Sequence, residues 1–446
     1  PSGFYAAGHL LAQADRPVEV DLYERLPTPF GLVRGGVAPD HPKIKSVTRV
    51  YDKVATGEGC RFFGNVEVGR DVTHEELGDW YDAVVYTVGT AADRRSGVPG
   101  EDLPGSVSAT EFVGWYNGHP DYRDQEFDLS GERAVVVGNG NVAIDVARML
   151  TLRADELALT DIADHALEEL AASNVTEVVV LGRRGPEQAA FTNPELLELG
   201  ELKDADVIVD PEELALPGDL REPEPDRAAR RKAEILSEYA ARRPSGRRKR
   251  IVLRFLASPV EILGTGRVEA VRVARNELVR DEHGVLRARA TDRTEVLEAG
   301  IVLRAIGYLG APVAGLPFDT RRGLIPHERG RIVEDAGPVR GAYVAGWIKR
   351  GPSGVIGTNK KCAQETVAAL MEDLAAGRLD LGRERPSSDE VVRRLVDRGV
   401  ALVEYAGWQS IDHHEQALGR PAGRPRVKLT RSEELLAAAG NPVAAG

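Results

Sequence analysis

The chain has 446 residues, room for two or three domains of ~150 residues each, and its 42% apolar and 29% charged residues are those of a globular protein with a substantial core. A formal net charge of −12 argues against sequence-independent nucleic-acid binding, which requires a basic surface, and no apolar run approaches the ~20 residues of a membrane span. The expectation is a cytoplasmic, monomeric enzyme with neither nucleic acid nor membrane as a partner.

The only cysteines, Cys60 and Cys362, cannot supply the four thiolates of an iron–sulfur cluster or a Cys-x-x-Cys pair. They read as small buried hydrophobes. No metal site is expected, since the pair His413-His414 has no third ligand in view.

Residues 3–13 read as a helix opening on small residues, with Gly3, Ala6 and Ala7 permitting close packing. The run 18–24 (VEVDLYE) then alternates as a strand and ends in an acid. A helix followed by such a strand is the second half of a dinucleotide-binding βαβ unit, so its first strand and first two glycines are expected before residue 1. Glu24, at the strand end, suits an unphosphorylated ribose such as that of FAD.

A strand at 83–87 ends in Val88-Gly89-Thr90, and 300–307 (GIVLRAIG) repeats the pattern of an apolar run closed by glycine. Such segments mark crossings between domains in two-dinucleotide flavoenzymes. Between them lies a second βαβ start: an apolar strand at 134–137, then Gly138-Asn139-Gly140-Asn141-Val142-Ala143, then a helix at 144–150. The glycines let the turn tighten and a pyrophosphate approach the backbone, and the small third residue lets helix and strand pack. After a helical insertion at 151–175, the next strand, 177–181, ends in Gly182-Arg183-Arg184. Two guanidinium groups with no opposing carboxylate favour a 2′-phosphate, so the second coenzyme is read as NADP(H).

The stretch 216–250 is rich in Pro and Arg and reads as a solvated helix and loop, with a docking patch for an acidic partner as the alternative. At 341–361 a strand (342–345) enters a glycine-rich loop and a helix runs on to about residue 374. The N–H groups of Gly354, Val355 and Ile356 would sit at that helix start, where positive dipole ends can stabilise a reduced isoalloxazine.

The segments PFGLVRGGVAPDHPKIK (29–45), GNVEVGRDV (64–72), FVGWYN (112–117), GNGNVAIDVARML (138–150), GRRGPEQAAFT (182–192), GWIKRGPSGVIGTNKK (346–361) and GRPRVKL (423–429) together resemble the adrenodoxin reductase family of ferredoxin–NADP reductases, in its actinobacterial form. The resemblance implies an α/β protein of two Rossmann-like domains, the NADP domain inserted into a discontinuous FAD domain. Their expected bounds are 1–92 and 312–446 for FAD and 93–311 for NADP. It places FAD contacts on Ser2, Gly3, Glu24, Leu32, Val68, Trp347, Gly354, Val355 and Ile356. NADP contacts fall on Arg94, Gly138, Asn139, Gly140, Asn141, Val142, Arg183, Arg184 and Glu195, with Gly354 near the nicotinamide. His41 and Glu198 match a pair that the family keeps near the flavin and links to proton handling. The implied activity is NADPH-dependent reduction of an iron–sulfur ferredoxin. Asn193 and Leu197 stand where relatives often carry Lys or Arg, which leaves Lys349, Arg350, Lys360 and Lys361 as the expected basic face. Two other readings use the same folds: a glutamate-synthase-type electron-transfer subunit, which usually carries cysteine-rich cluster segments, and a non-catalytic NADPH sensor.

Overall fold

The apolar run at 134–137 becomes the strand Arg133–Val137, near the middle of a six-stranded sheet. Its order is Ser106–Ser108, Ile301–Arg304, Arg133–Val137, Glu177–Gly182, Lys249–Phe255, Ala205–Val209, and every neighbouring pair is parallel. Parallel strands buried on both faces need continuous apolar sequence, which Arg133–Val137, Glu177–Gly182 and Ile301–Arg304 supply. Alternate residues point to opposite sides. Val136, Val178 and Val180 join a core with Phe112, Trp115, Met149 and Phe191 from the helical side. Val135, Val137, Val179 and Leu181 pack instead against Ile262, Val271 and Val273. These last belong to a three-stranded antiparallel sheet, Ala257–Leu263, Ala270–Arg280 and Leu286–Glu298, which covers the second face where a doubly wound fold would place helices.

This computed structural model describes residues 1–13, 16–215, 226–354 and 356–441, so the expected contact Val355 and the start of the Pro/Arg-rich stretch lie outside the described residues. The chain divides into two units. The sheet above belongs to one, Ala38–Asp40 with Arg94–Ile306, inserted in sequence within the other, Pro1–Val37, His41–Asp93 and Gly307–Gly446.

In the discontinuous unit, Val20–Glu24 pairs in parallel with Cys60–Gly64, and Val84–Tyr86 pairs in parallel with Gly337–Val344. Among the described residues, neither Val20–Glu24 nor Val84–Tyr86 has a strand on its other edge. The helix Ser2–Leu11 packs on Ile356–Ala375 through Ala6, Ala363 and Val367, where small residues allow close approach. The last segment is tied back by a buried carboxylate. Glu415, on the helix Tyr405–Gly419, accepts from Arg34 Nη1 at 2.8 Å, Arg426 Nη1 at 3.2 Å and the Leu429 N–H at 2.9 Å. Burial pushes that carboxyl up, and the two guanidinium groups more than reverse the push, leaving it below the usual range. None of the described helices is long and apolar enough to cross a membrane.

Candidate functional site

In the inserted unit the strand Arg133–Val137 passes through Gly138 and Gly140 into the helix Asn141–Thr151. Gly138 has φ +121°, and a Cβ there would stand 2.2 Å from the carbonyl oxygen of Ala305, whose own N–H donates to Val137 O. Only glycine fits. A Cβ on Gly140 would meet nothing within 4 Å, so the space over the helix start is open. Gly140 also offers no side-chain cap, which leaves the first N–H groups of the helix without a side-chain acceptor. Open space, donor N–H groups and a positive helix end are what a pyrophosphate requires. The residues present fit the dinucleotide.

Neighbouring segments hold this loop in place. A Cβ on Gly182 would stand 2.4 Å from Nδ2 of Asn139, so the glycine makes room for that side chain. The Asn139 carbonyl accepts from the N–H groups of Ala190 and Phe191, and Asn141 Oδ1 accepts from the Thr192 N–H at 2.8 Å. Gly138→Ala is therefore expected to lower the melting temperature and weaken NADP+ binding at least ~tenfold, since a forced positive φ and a backbone clash cost ~1–3 kcal/mol. Gly140→Ala enters open space and should weaken NADP+ binding while leaving the melting temperature unchanged. Equal thermal losses in the two variants would refute the distinction.

Arg183 and Arg184 follow Gly182 with their main chain pinned. The Arg183 carbonyl accepts from Asn276 Nδ2 at 2.8 Å, and the Arg184 carbonyl from the Leu256 N–H at 3.1 Å. Neither guanidinium has a carboxylate partner among the described residues. Burial first, then Arg183 and Arg287, pull the Arg184 pKa below its ordinary value. Arg287, on the strand Leu286–Glu298, adds positive field although its Nε also bonds Asp281 at 2.9 Å. It escaped the sequence reading because it lies on a hairpin about 100 residues away from the pair it joins. Arg94 is exposed and opens the long segment Arg94–Ile306 of the inserted unit.

On the loop helix itself, Arg148 is 2% exposed and gathers four carboxylates. Its Nη2 lies 2.5 Å from Asp40, and its Nη1 2.6 Å from Glu198, 3.3 Å from Glu195 and 3.4 Å from Asp145. The cluster brings together two predicted residues, Glu195 and Glu198, both on the helix Asn193–Leu199. Glu195 is buried, whereas the Glu198 side chain keeps 40% of its exposure. Burial, only partly relieved by Arg148 and reinforced by Glu195, Asp40 and Glu198, holds the Asp145 carboxyl well above the usual range. The sequence holds one signal for this cluster, Asp145 and Arg148 at i,i+3 on a mostly apolar helix. His41 is buried, and its carbonyl accepts the N–H groups of Ile44 and Lys45 at the start of Pro42–Lys45.

In the discontinuous unit Ser2 is buried, and a Cβ on Gly346 (φ +82°) would stand 2.4 Å from its Oγ. The N-terminal helix and the glycine-rich loop thus meet at a point where no side chain fits. Gly3 approaches Thr87 less tightly, its would-be Cβ 3.0 Å from Oγ1. Glu24 ends its strand, accepts from the Leu26 N–H at 3.2 Å, and is pushed up by burial. Ribose hydroxyls would relieve that burial by donating to it. Trp347 lies against Tyr308 with ring centroids 5.7 Å apart and planes tilted by 35°, while its Nε1 is buried with no hydrogen-bond partner among the described residues. An orphan indole donor, a desolvated acid and the helix start at Ile356, with Gly354 at φ +78° before it, fit FAD. Leu32 is exposed at the start of Leu32–Gly35, and Val68 is half-buried in the turn bridged to Val72.

The expected basic face needs correction. Lys349 is 4% exposed, its Nζ held by Glu365 Oε2 at 2.6 Å and Thr366 Oγ1 at 3.1 Å, so it is no rim charge. Arg350 is tied to Asn359 at 2.9 Å, whereas Lys360 and Lys361 are exposed. Part of the 242–250 stretch also turns inward: Lys249 Nζ donates to Leu150 O at 2.8 Å, and Arg247 Nη1 to Ala205 O at 2.9 Å.

No family model matches the chain. The NADPH-ferredoxin reductase FprA of Mycobacterium tuberculosis is 51% identical over 445 residues, covering 98% of this chain and 96% of that protein. The mitochondrial NADPH:adrenodoxin oxidoreductase of Arabidopsis thaliana is 42% identical over 456 residues, covering 99% and 94%. A solved structure of M. tuberculosis FprA in complex with NADPH matches with a TM-score of 0.93 at 50% identity, over 99% of this chain and 98% of that one.

Proposed function

The chain belongs to the NADPH-ferredoxin reductase family, and on that premise we propose that it draws electrons from NADPH through FAD and delivers them to an iron–sulfur ferredoxin. The observation that carries this reading is the contrast between its two ribose-facing strand ends, Glu24 in one unit and Arg183-Arg184 in the other. When bound, FAD supplies the conversion between a two-electron donor and a one-electron acceptor.

The protein's own part is binding and orientation. Ser2, Gly3, Glu24, Leu32, Val68, Trp347, Gly354 and Ile356 are assigned to FAD. Arg94, the 138–142 loop, Arg183, Arg184 and Glu195 are assigned to NADP(H), with Gly354 serving both. His41 at its imidazole and Glu198 at its carboxylate are assigned to proton handling, with Arg148 orienting Glu198 through the 2.6 Å contact. Cys60 and Cys362 are too few for a four-thiolate cluster within these 446 residues, and the acceptor in this reading is a separate iron–sulfur carrier. Lys360 and Lys361 remain to attract an acidic partner across the overall negative charge. A monomer working in the cytoplasm, without nucleic acid or membrane, completes the proposal.

Anaerobic mixing of the flavin-loaded protein with NADPH and an oxidised ferredoxin is the test. Bleaching of the ferredoxin that needs the reductase, and is at least ~100-fold slower with NADH at equal concentration, is expected. Turnover of a small dye with no ferredoxin reduction, at low or high salt, would refute the partner.

A further inference from the structure

Gln188, in the 182–192 segment, has an amide nitrogen and an amide oxygen that are both buried with no hydrogen-bond partner among the described residues. A carboxamide carries two donors and an acceptor with two lone pairs, and buried polar groups in folded proteins are almost always paired. Packing alone would be served as well by Leu or Met. The position is informative too. Gln188 closes the turn Pro186–Gln188, its carbonyl lies 3.5 Å from Arg184 Nη2, and two residues later the chain is bonded to the Asn139 carbonyl of the phosphate loop. It therefore stands between the loop suited to a pyrophosphate and the guanidinium groups suited to a 2′-phosphate.

We infer that Gln188 is a coenzyme-binding residue whose carboxamide is completed by the adenosine half of the bound NADP(H). The adenosine half fits because it offers donors and acceptors together, in its ribose hydroxyl and adenine edge, and because Gln188 is joined to Arg184. The inference rests on the NADPH reading above. It assigns Gln188 to recognition and leaves the electron-transfer chemistry untouched.

The consequence separates it from a structural role. A residue that completes its hydrogen bonds only with coenzyme loses nothing in the coenzyme-free protein when replaced by an apolar residue of similar size. Gln188→Leu in the flavin-loaded protein should leave the melting temperature without coenzyme unchanged or higher. It should raise the dissociation constants of both NADP+ and adenosine 2′,5′-bisphosphate about tenfold, measured by titration calorimetry. Gln188→Glu keeps the size, puts a negative charge beside the phosphates, and should weaken both further; it also serves should the Leu variant misfold. A lower coenzyme-free melting temperature with unchanged constants would make Gln188 structural and overturn the inference. Loss of NADP+ affinity with unaltered bisphosphate affinity would overturn the adenosine assignment. An Arg183→Gln/Arg184→Gln control keeps the two readings apart. If it loses coenzyme while Gln188→Leu does not, only this inference fails; if neither responds, the NADPH reading fails with it.

Discussion

Neutralising Arg183 and Arg184 together, as Arg183→Gln/Arg184→Gln, is expected to raise the NADPH Michaelis constant by about 100-fold or more while the NADH constant barely moves. Each charge-assisted hydrogen bond to a phosphate is worth ~1.5–3 kcal/mol, and ~1.4 kcal/mol is a factor of ten. The effect should be confined to side chains, because the main chain at both positions is held by Asn276 and Leu256. Stability gives a second readout. The Arg184 charge is carried half-buried beside Arg183 and Arg287, with no carboxylate partner among the described residues, so its loss relieves repulsion in the coenzyme-free protein. The melting temperature without NADP+ should hold or rise, and the extra stabilisation that NADP+ provides should shrink. Equal losses for NADPH and NADH would show that the pair shapes the site and does not select the phosphate.

What could be read ahead of the structure was whatever had a local pattern. Arg133–Val137, its glycines and the strand ending at Gly182 were legible because a buried parallel strand is a continuous apolar run and the turn chemistry after it is restrictive. Val20–Glu24 was legible from its alternation and its terminal acid. The antiparallel sheet was not. Leu286–Glu298 is exposed along most of its length, carries charges on both faces, has no apolar run, and alternates only over Leu286–Ala290, so the pattern is lost from Thr291 on. Its place comes from pairing with Ala270–Arg280, a tertiary cause. Lys349 misled for a related reason: in sequence it is one cation in a loop, and only Glu365 and Thr366, from the following helix, turn it inward. Gln188 carries no signal in the sequence, because an unsatisfied carboxamide is a property of three-dimensional surroundings.

Arg148→Met should be the most damaging single substitution to the fold of the inserted unit, costing ~3–5 kcal/mol at pH 8 as judged by urea unfolding. One guanidinium serves Asp40, Asp145, Glu195 and Glu198, and removing it leaves their charges facing one another around an apolar side chain. The four do not count equally. The Glu198 side chain is 40% exposed, so water screens much of its share, while Asp145 and Glu195 are largely buried. The sign with pH follows from Asp145, whose carboxyl burial already lifts well above the usual range with Arg148 opposing the lift. Without Arg148 it rises further, and a group whose folded pKa exceeds its unfolded value favours the fold only while protonated. That contribution is complete below the unfolded carboxylate value and fades as pH climbs through the raised folded one. The stability gap between Arg148→Met and the parent should therefore be smallest near pH 5 and widen toward pH 8. Arg148→Lys keeps the charge, but a single ammonium cannot span Asp40 on one side and Glu198 on the other as the two guanidinium nitrogens do, so it should fall between. A gap of the same size at both pH values would mean that the loss lies in packing of the Arg148 stem, and that the four carboxylates are held by something other than its charge.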